Sequence, residues 1–241
     1  MSFKTIAVIP VHGRLPLLKV TINRLYEKNK IDKIICIGNK KEQQICEESG
    51  AEFHIYSNNP LGKKWNYGFR IAKEYSPDAV LYVGSSDWLS DNWLPVLIPF
   101  IERGYAIAGK FDYNLLHISD KMNLFWFPHY PKGSGRENEL IGIGRLLSRE
   151  FLDAVDWMPF DDYLNKSMDY SMWIKLGNLQ KKGMKLLPYA HNLHEIQSLS
   201  VSCDLWTNLH NSNGTIPLSQ SEGWLKIWFP EALKLNLYDT M

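Results

Sequence analysis

Four short strand-like runs, the first three each followed by a helical pattern, fill the first ninety or so residues and leave few folds open. Thr5–Val11, Lys33–Ile37, Glu52–Tyr56 and Ala79–Val83 read as strands, with the first and last of them apolar runs. Between the first two, Leu15, Leu18, Ile22 and Leu25 recur at helical spacing, with Pro16 tolerated in the first turn. Glu42–Ser49 reads as a second helix closed by Gly50, and Trp65, Gly68, Phe69, Ala72 and Tyr75 mark a third after the turn Asn58–Gly62. Strand–helix alternation of this kind predicts an α/β fold with a mostly parallel central sheet covered by helices on both faces.

The second half is less regular. Tyr105–Lys110 and Leu124–Pro128 read as strands, with a polar loop at Pro131–Asn138 after them. Ser148 is placed to cap a helix bearing Phe151, Leu152 and Val155. Ser167 is placed to cap another, with Met168, Met172, Trp173, Leu176 and Leu179 as its apolar stripe and Gly183 as its end. Lys185–Ala190 reads as one more strand, leading to His191 and His194. The reading is one domain over residues 1–194, with a nucleotide-binding half at about 1–110 and an acceptor half at about 111–194. Residues 195–241 form a C-terminal appendage packed on it. Its aromatic segment Trp224–Phe229 is core or an oligomer contact, with a lid or interfacial anchor as the competing reading.

Composition narrows the partners. With 45% hydrophobic residues the chain can bury a sizeable core, and a net charge of +1 offers no general attraction to nucleic acid or anionic membrane. A nucleic-acid acceptor is therefore not favoured, though a local groove would suffice for one. Cys36, Cys46 and Cys203 form no C-x-x-C pair, and the odd number argues against a disulfide scaffold and for a reducing, cytoplasmic compartment. The run after Lys4 is too short for a signal peptide, and no stretch approaches the ~18 apolar residues of a membrane span.

Chemistry concentrates where the fourth run stops. Gly84 ends it and delivers Ser85, Ser86 and Asp87 into a turn. Ligands of open α/β sheets bind beyond the carboxyl ends of strands, and a divalent cation holding phosphates needs one or two carboxylates there. Other motifs fall away. Gly142-Ile143-Gly144 lacks the third glycine of a dinucleotide fingerprint, and Gly62-Lys63-Lys64 lacks the remaining parts of a P-loop. Each remaining residue also has a plain structural role open to it. Asp87 suits a turn, Asp169 suits a helix N-terminus, and Lys63 and Lys64 suit a solvated helix start.

An ordered set remains: Pro10-Val11-His12-Gly13-Arg14, then Asn59 through Gly68, Ser85-Ser86-Asp87, Gly142 through Arg149, Met168-Asp169-Tyr170, and His191 or His194. In order and spacing it resembles the family 2-type glycosyltransferases of GT-A fold, over roughly Thr5 to His194. The resemblance implies that Pro10, His12 and Arg14 border the nucleotide base, with Asn39 near the base or ribose. It implies that Lys63, Lys64 and Asn66 lie near the nucleotide and diphosphate, beside Ser85 and Ser86. Asp87 matches the last acid of the family's D-x-D metal motif, with His194 the better match to a completing ligand than His191. Asp169 matches the general base on the acceptor hydroxyl in inverting members, with Asp161 and Asp162 as competitors. Trp88 and Trp93 would offer faces to the acceptor sugar, near Gly144 and Arg145.

Two departures stand out: Ser85 replaces the first acid of D-x-D, and Gly38-Asn39 stands where many members place an acid. The implied activity is a metal-dependent, hexosyltransferase-like transfer from a nucleotide-diphosphate donor, a UDP-sugar, to a hydroxyl acceptor. The implied cation is Mn²⁺ or Mg²⁺. Two rivals remain. One is a non-catalytic nucleotide-sugar or carbohydrate-binding protein on the same scaffold, which Ser85 would suit. The other is a sugar-1-phosphate nucleotidyltransferase, which would want a glycine-rich basic loop after the first strand.

Overall fold

The computed structural model describes residues 3–118, 122–130, 132–137, 139–182, 188–189, 195–202, 215–216 and 218–235. The first half alternates as its sequence predicts: β1 (Thr5–Pro10), α1 (Leu15–Glu27), β2 (Lys33–Gly38), α2 (Gln43–Glu48), β3 (Glu52–Ile55), α3 (Leu61–Glu74) and β4 (Ala79–Tyr82). Then come β5 (Asp87–Leu89), α4 (Trp93–Glu102), β6 (Ile107–Ala108), β7 (Tyr113–Ile118), β8 (Met122–Phe127), β9 (Arg145–Ser148), α5 (Arg149–Ala154) and α6 (Met168–Lys181). The remainder holds β10 (Pro188–Tyr189), β11 (Ser198–Ser202), β12 (Thr215–Ile216), α7 (Leu218–Trp228) and a 3-10 turn at Pro230–Lys234.

Among the described residues the larger sheet has seven strands in the order β10-β6-β9-β4-β1-β2-β3. β4, β1, β2 and β3 are mutually parallel, and β9 runs antiparallel to both β4 and β6. The apolar runs follow from burial on both faces. Ala7, Ile9, Cys36 and Leu81 pack with Leu18 and Ile22 of α1 and Leu97 of α4. Alternate residues Ile6, Val8, Ile35 and Val80 pack with Phe69 of α3, Phe151 of α5 and Met172 of α6. Gly68 lets α3 cross closely, since a Cβ there would lie 2.6 Å from Val8 Cγ1.

A second sheet, in the order β12-β8-β7-β11-β5, stands beside the first. Its inner face buries Trp88, Leu116, Leu124, Leu199 and Val201 against Leu17 of α1 and Leu225 of α7. Helix α1 is thus covered on both sides, and β4 passes to β5 through only Val83–Ser86. Arg24 of α1 ties the C-terminal end down, with ion pairs to Asp91 at 2.9 Å and Glu231 at 2.8 Å.

The structure bears on three readings of the second half. β11 bonds to β7 on one side and β5 on the other, so residues 198–202 form an internal strand of the second sheet. Leu225 and Phe229 are fully buried against the second sheet, in keeping with the core reading of the aromatic segment, while Ile227 is exposed. Ser148 caps α5 through Phe151 N at 3.1 Å, but Ser167 adopts a left-handed φ of 59° and makes no side-chain cap. A capping side chain needs extended backbone to reach back to the helix amides, and Ser167 lacks it.

Candidate functional site

The carboxyl end of β4 and the start of β5 form the floor of the site. Gly84 turns the chain, and the Gly84 N–H donates to Asp87 Oδ2 at 3.0 Å. Ser200 of β11 donates its hydroxyl to the same carboxylate. Burial, ahead of every other influence, pushes the Asp87 carboxyl above its ordinary range. Ser200, the Gly84 amide and the Arg14 guanidinium oppose that rise, while the charge of Asp169 adds to it. Asp87 and Asp169 therefore feel one another across the same polar space.

Asp169 stands in the first turn of α6 and reaches back to the large sheet. Its Oδ1 accepts a hydrogen bond from the Tyr82 hydroxyl at 3.0 Å, with Arg145 Nη1 at 4.0 Å. Arg145 is almost wholly buried and anchored by the Ile141 carbonyl at 2.9 Å, the Leu140 carbonyl and Glu139 at 3.3 Å. Glu139 also takes Arg136, whose guanidinium lies 3.9 Å from the centre of the Tyr130 ring. Tyr82, Tyr113 and Tyr130 line this region. Burial raises each phenol, helped by Asp169 for Tyr82 and Tyr130 and by Asp87 for Tyr113, which is pushed up to about 12. Such phenols remain hydrogen-bond donors throughout the neutral range.

The turn after β1 forms a second wall. An open cavity of about 310 Å³ is lined by Gly13, Arg14, Leu15, Pro16 and Lys41. Arg14 Nη1 donates to Ser86 Oγ at 3.4 Å, so this wall meets the floor. Pro10 and Ser85 are half-buried at the same strand ends, and His12 is exposed. Asn39 begins the 3-10 turn Lys40–Glu42, and its N–H donates to the buried carboxylate of Glu42 at 2.5 Å. Glu42 also accepts from the Gly13 N–H at 3.2 Å.

Several sequence-predicted residues serve the scaffold instead. Lys64 is fully buried and donates to the Val11 carbonyl at 2.5 Å and Asn58 Oδ1 at 2.9 Å. Burial lowers its ammonium to about 8, against the pull of Glu42. Asn66 bridges to the Phe160 carbonyl and Asp162 Oδ1, each at 2.8 Å. Lys63 differs from these: its backbone N–H is on the Asp162 carbonyl, and its side chain is exposed. Trp88 and Trp93 are fully buried, the latter donating to the Gly144 carbonyl at 2.8 Å, so neither offers a face to a sugar. Arg145 likewise braces Asp169 from within. Asp161 pairs with Lys175 at 3.2 Å and Asp162 with Asn66, away from the Tyr82–Asp169 pair.

Tyr82, Tyr113, Tyr130 and Ser200 are absent from the sequence-derived set. For Tyr82 a signal existed: it is the last residue of β4, two positions after Val80 and on the same face. The others depend on strands of the second sheet meeting the first, which no local pattern encodes.

A metal's fit can be judged from the donors present. His191 and His194 lie outside the described residues, and among the described residues no three His, Cys, Asp or Glu side chains converge. Asp87 supplies a hard carboxylate oxygen beyond the end of β4. That is compatible with Mg²⁺ or Mn²⁺ carried on a diphosphate, which uses one or two carboxylates rather than a protein cage.

Comparison with known proteins extends to the fold. No protein-family profile and no curated protein matches the sequence. Among solved structures, 4-diphosphocytidyl-2C-methyl-D-erythritol synthase from Anaerococcus prevotii is similar at 13% identity and a TM-score of 0.51, over 79% of this chain and 88% of that one. Residues 1–349 of TarS from S. aureus are similar at 14% identity and a TM-score of 0.50, over 84% of this chain and 59% of that one. A mycobacterial protein is similar at 12% identity and a TM-score of 0.54, over 86% of this chain and 70% of that one. These likenesses show the fold alone, a GT-A-like arrangement with a mostly parallel central sheet flanked by helices. No helix among the described residues is long and apolar enough to cross a membrane.

Proposed function

We propose that the chain is a glycosyltransferase that moves a sugar from a nucleotide-diphosphate donor, a UDP-sugar, to a hydroxyl acceptor. The observation that carries this reading is the pair of carboxylates at one sheet edge, Asp87 on the floor and Asp169 facing it from α6, coupled through their charges. Transfer with inversion needs two separate things: neutralisation of a departing diphosphate and removal of a proton from the attacking hydroxyl. Asp87, with Arg14 beside it, stands on the donor side. Asp169, held by Tyr82, stands on the acceptor side.

The acceptor oxygen attacks the anomeric carbon as the bond from that carbon to the diphosphate oxygen breaks. The diphosphate leaves with the electron pair, and Asp169 takes the hydroxyl proton. Asp87 would hold a divalent cation, which when bound supplies positive charge to the leaving diphosphate. The nucleotide would lie along the Gly13–Pro16 cavity, with Lys41 at its rim.

The nucleotidyltransferase alternative is less well supported. Only Val11–Arg14 separate β1 from α1, and that turn carries one glycine. A thermal-shift panel of nucleotide-sugars with and without Mn²⁺ tests the reading, because a ligand bound to the native state raises the melting point. Slow release of UDP, lost in Asp87→Ala, is expected. Pyrophosphate formation from a nucleoside triphosphate and a sugar phosphate would overturn the assignment. Binding without turnover would leave a binding protein.

A further inference from the structure

The Asp169 carboxylate has two unlike oxygens. Oδ1 receives the Tyr82 hydroxyl at 3.0 Å and faces Arg145 Nη1 at 4.0 Å. Among the described residues, Oδ2 receives no hydrogen bond. The group lies flat against Gly142, where an added Cβ would sit 2.5 Å from Oδ2 and 2.7 Å from Oδ1. Arg145 also donates to the Asp169 backbone carbonyl at 3.5 Å, so main chain and side chain are braced together.

We propose that Tyr82 is a positioning residue for the acceptor step, holding Asp169 by Oδ1 so that Oδ2 is the oxygen presented to the acceptor hydroxyl. Gly142 is the surface on which that carboxylate rests. This rests on the transferase reading above and adds to it the identity of the reacting oxygen and of the group that aims it. A carboxylate held at one oxygen loses rotational freedom about its terminal torsion, which is broad and two-fold when unrestrained. Its remaining lone pairs then point in one direction. Misplacement of a catalytic group by about an ångström costs up to about a hundredfold in rate. Tyr82 is suited to the task because its phenol is buried and pushed well above the usual range, first by burial and then by Asp169, so it stays a donor.

Tyr82→Phe removes one oxygen and keeps the ring that packs on Trp65 and Phe160. In this variant kcat for sugar transfer is expected to fall by about 10- to 100-fold, with the donor KM within about twofold of wild type. Gly142→Ala, which pushes on the carboxylate from below, is expected to reproduce the same split. A second readout needs no turnover. In protein labelled with ¹³C at aspartate side-chain carboxyls, the Asp169 resonance, assigned by its loss in Asp169→Asn, is expected to move in Tyr82→Phe. An unmoved resonance, or wild-type kcat in Tyr82→Phe, overturns the proposal. A fall in kcat accompanied by an equal weakening of the donor overturns it too, since that is general damage. A moved resonance in a protein that transfers no sugar upholds the aiming of Asp169 and overturns the transferase reading instead.

Discussion

Lys64 and Glu42 show how far a charged side chain can be drawn into the scaffold of a binding edge. Between them they fasten the ends of β1 and β2 and the loop before α3, through the Val11 carbonyl, the Gly13 and Asn39 amides and Asn58. Burial lowers the Lys64 ammonium to about 8 from 10.5. Between those values the unfolded chain holds a proton that the native state has lost, so native stability rises with pH across that window. Below about 8 both states are protonated and the contribution is flat. Urea midpoints taken from pH 7.5 to 10 should therefore climb more steeply in wild type than in Lys64→Met, and equal slopes would show that the ammonium is not buried. The sequence offers Lys63-Lys64 as a solvated pair or a phosphate contact. Only the docking of α3 against β1 distinguishes the exposed member from the buried one.

Elements differ in how plainly the chain announces them. β1, β2 and β4 are readable because both faces are buried and nearly every residue is apolar, whereas β3, at the sheet edge, is half-buried and carries Glu52 and His54. β5, β9 and β11 are not: β5 has three residues and starts with a carboxylate, β9 starts with Arg145, and β11 spaces serines between Leu199 and Val201. Each owes its place to partners distant in sequence. Trp88 illustrates the consequence, since its neighbourhood to Asp87 reads as a sugar platform until β5 is seen to join the second sheet and aim the indole into a core. Asp87 and Asp169 were legible as candidates because each follows a local boundary signal. Tyr82 was legible as a strand end but not as the partner of Asp169, which stands 87 positions away. Helix starts divide in the same way. Ser148→Ala should lower stability by about 1 kcal/mol through loss of the bond to Phe151 N, whereas Ser167→Ala should stay within about 0.5 kcal/mol. Chemical denaturation of the two variants checks the contrast, and equal losses would refute it.

At the scale of the whole molecule, the two sheets share α1 as a common filling. Leu18 and Ile22 face the large sheet and Leu17 faces the small one. A Leu17→Ala truncation should cost about 2–5 kcal/mol, measured by denaturation. It should also depress transfer although Leu17 is fully buried. Asp169 is fastened to the large sheet through Tyr82, and Asp87 begins a strand of the small one. The gap between the two carboxylates is therefore not set by either wall of the cleft alone. It is a spacing between two slabs that are joined by Val83–Ser86 and backed by a helix packed with leucine and isoleucine. A bulkier sugar in the proposed reaction therefore has two handles, the cleft itself and the buried face of α1 behind it.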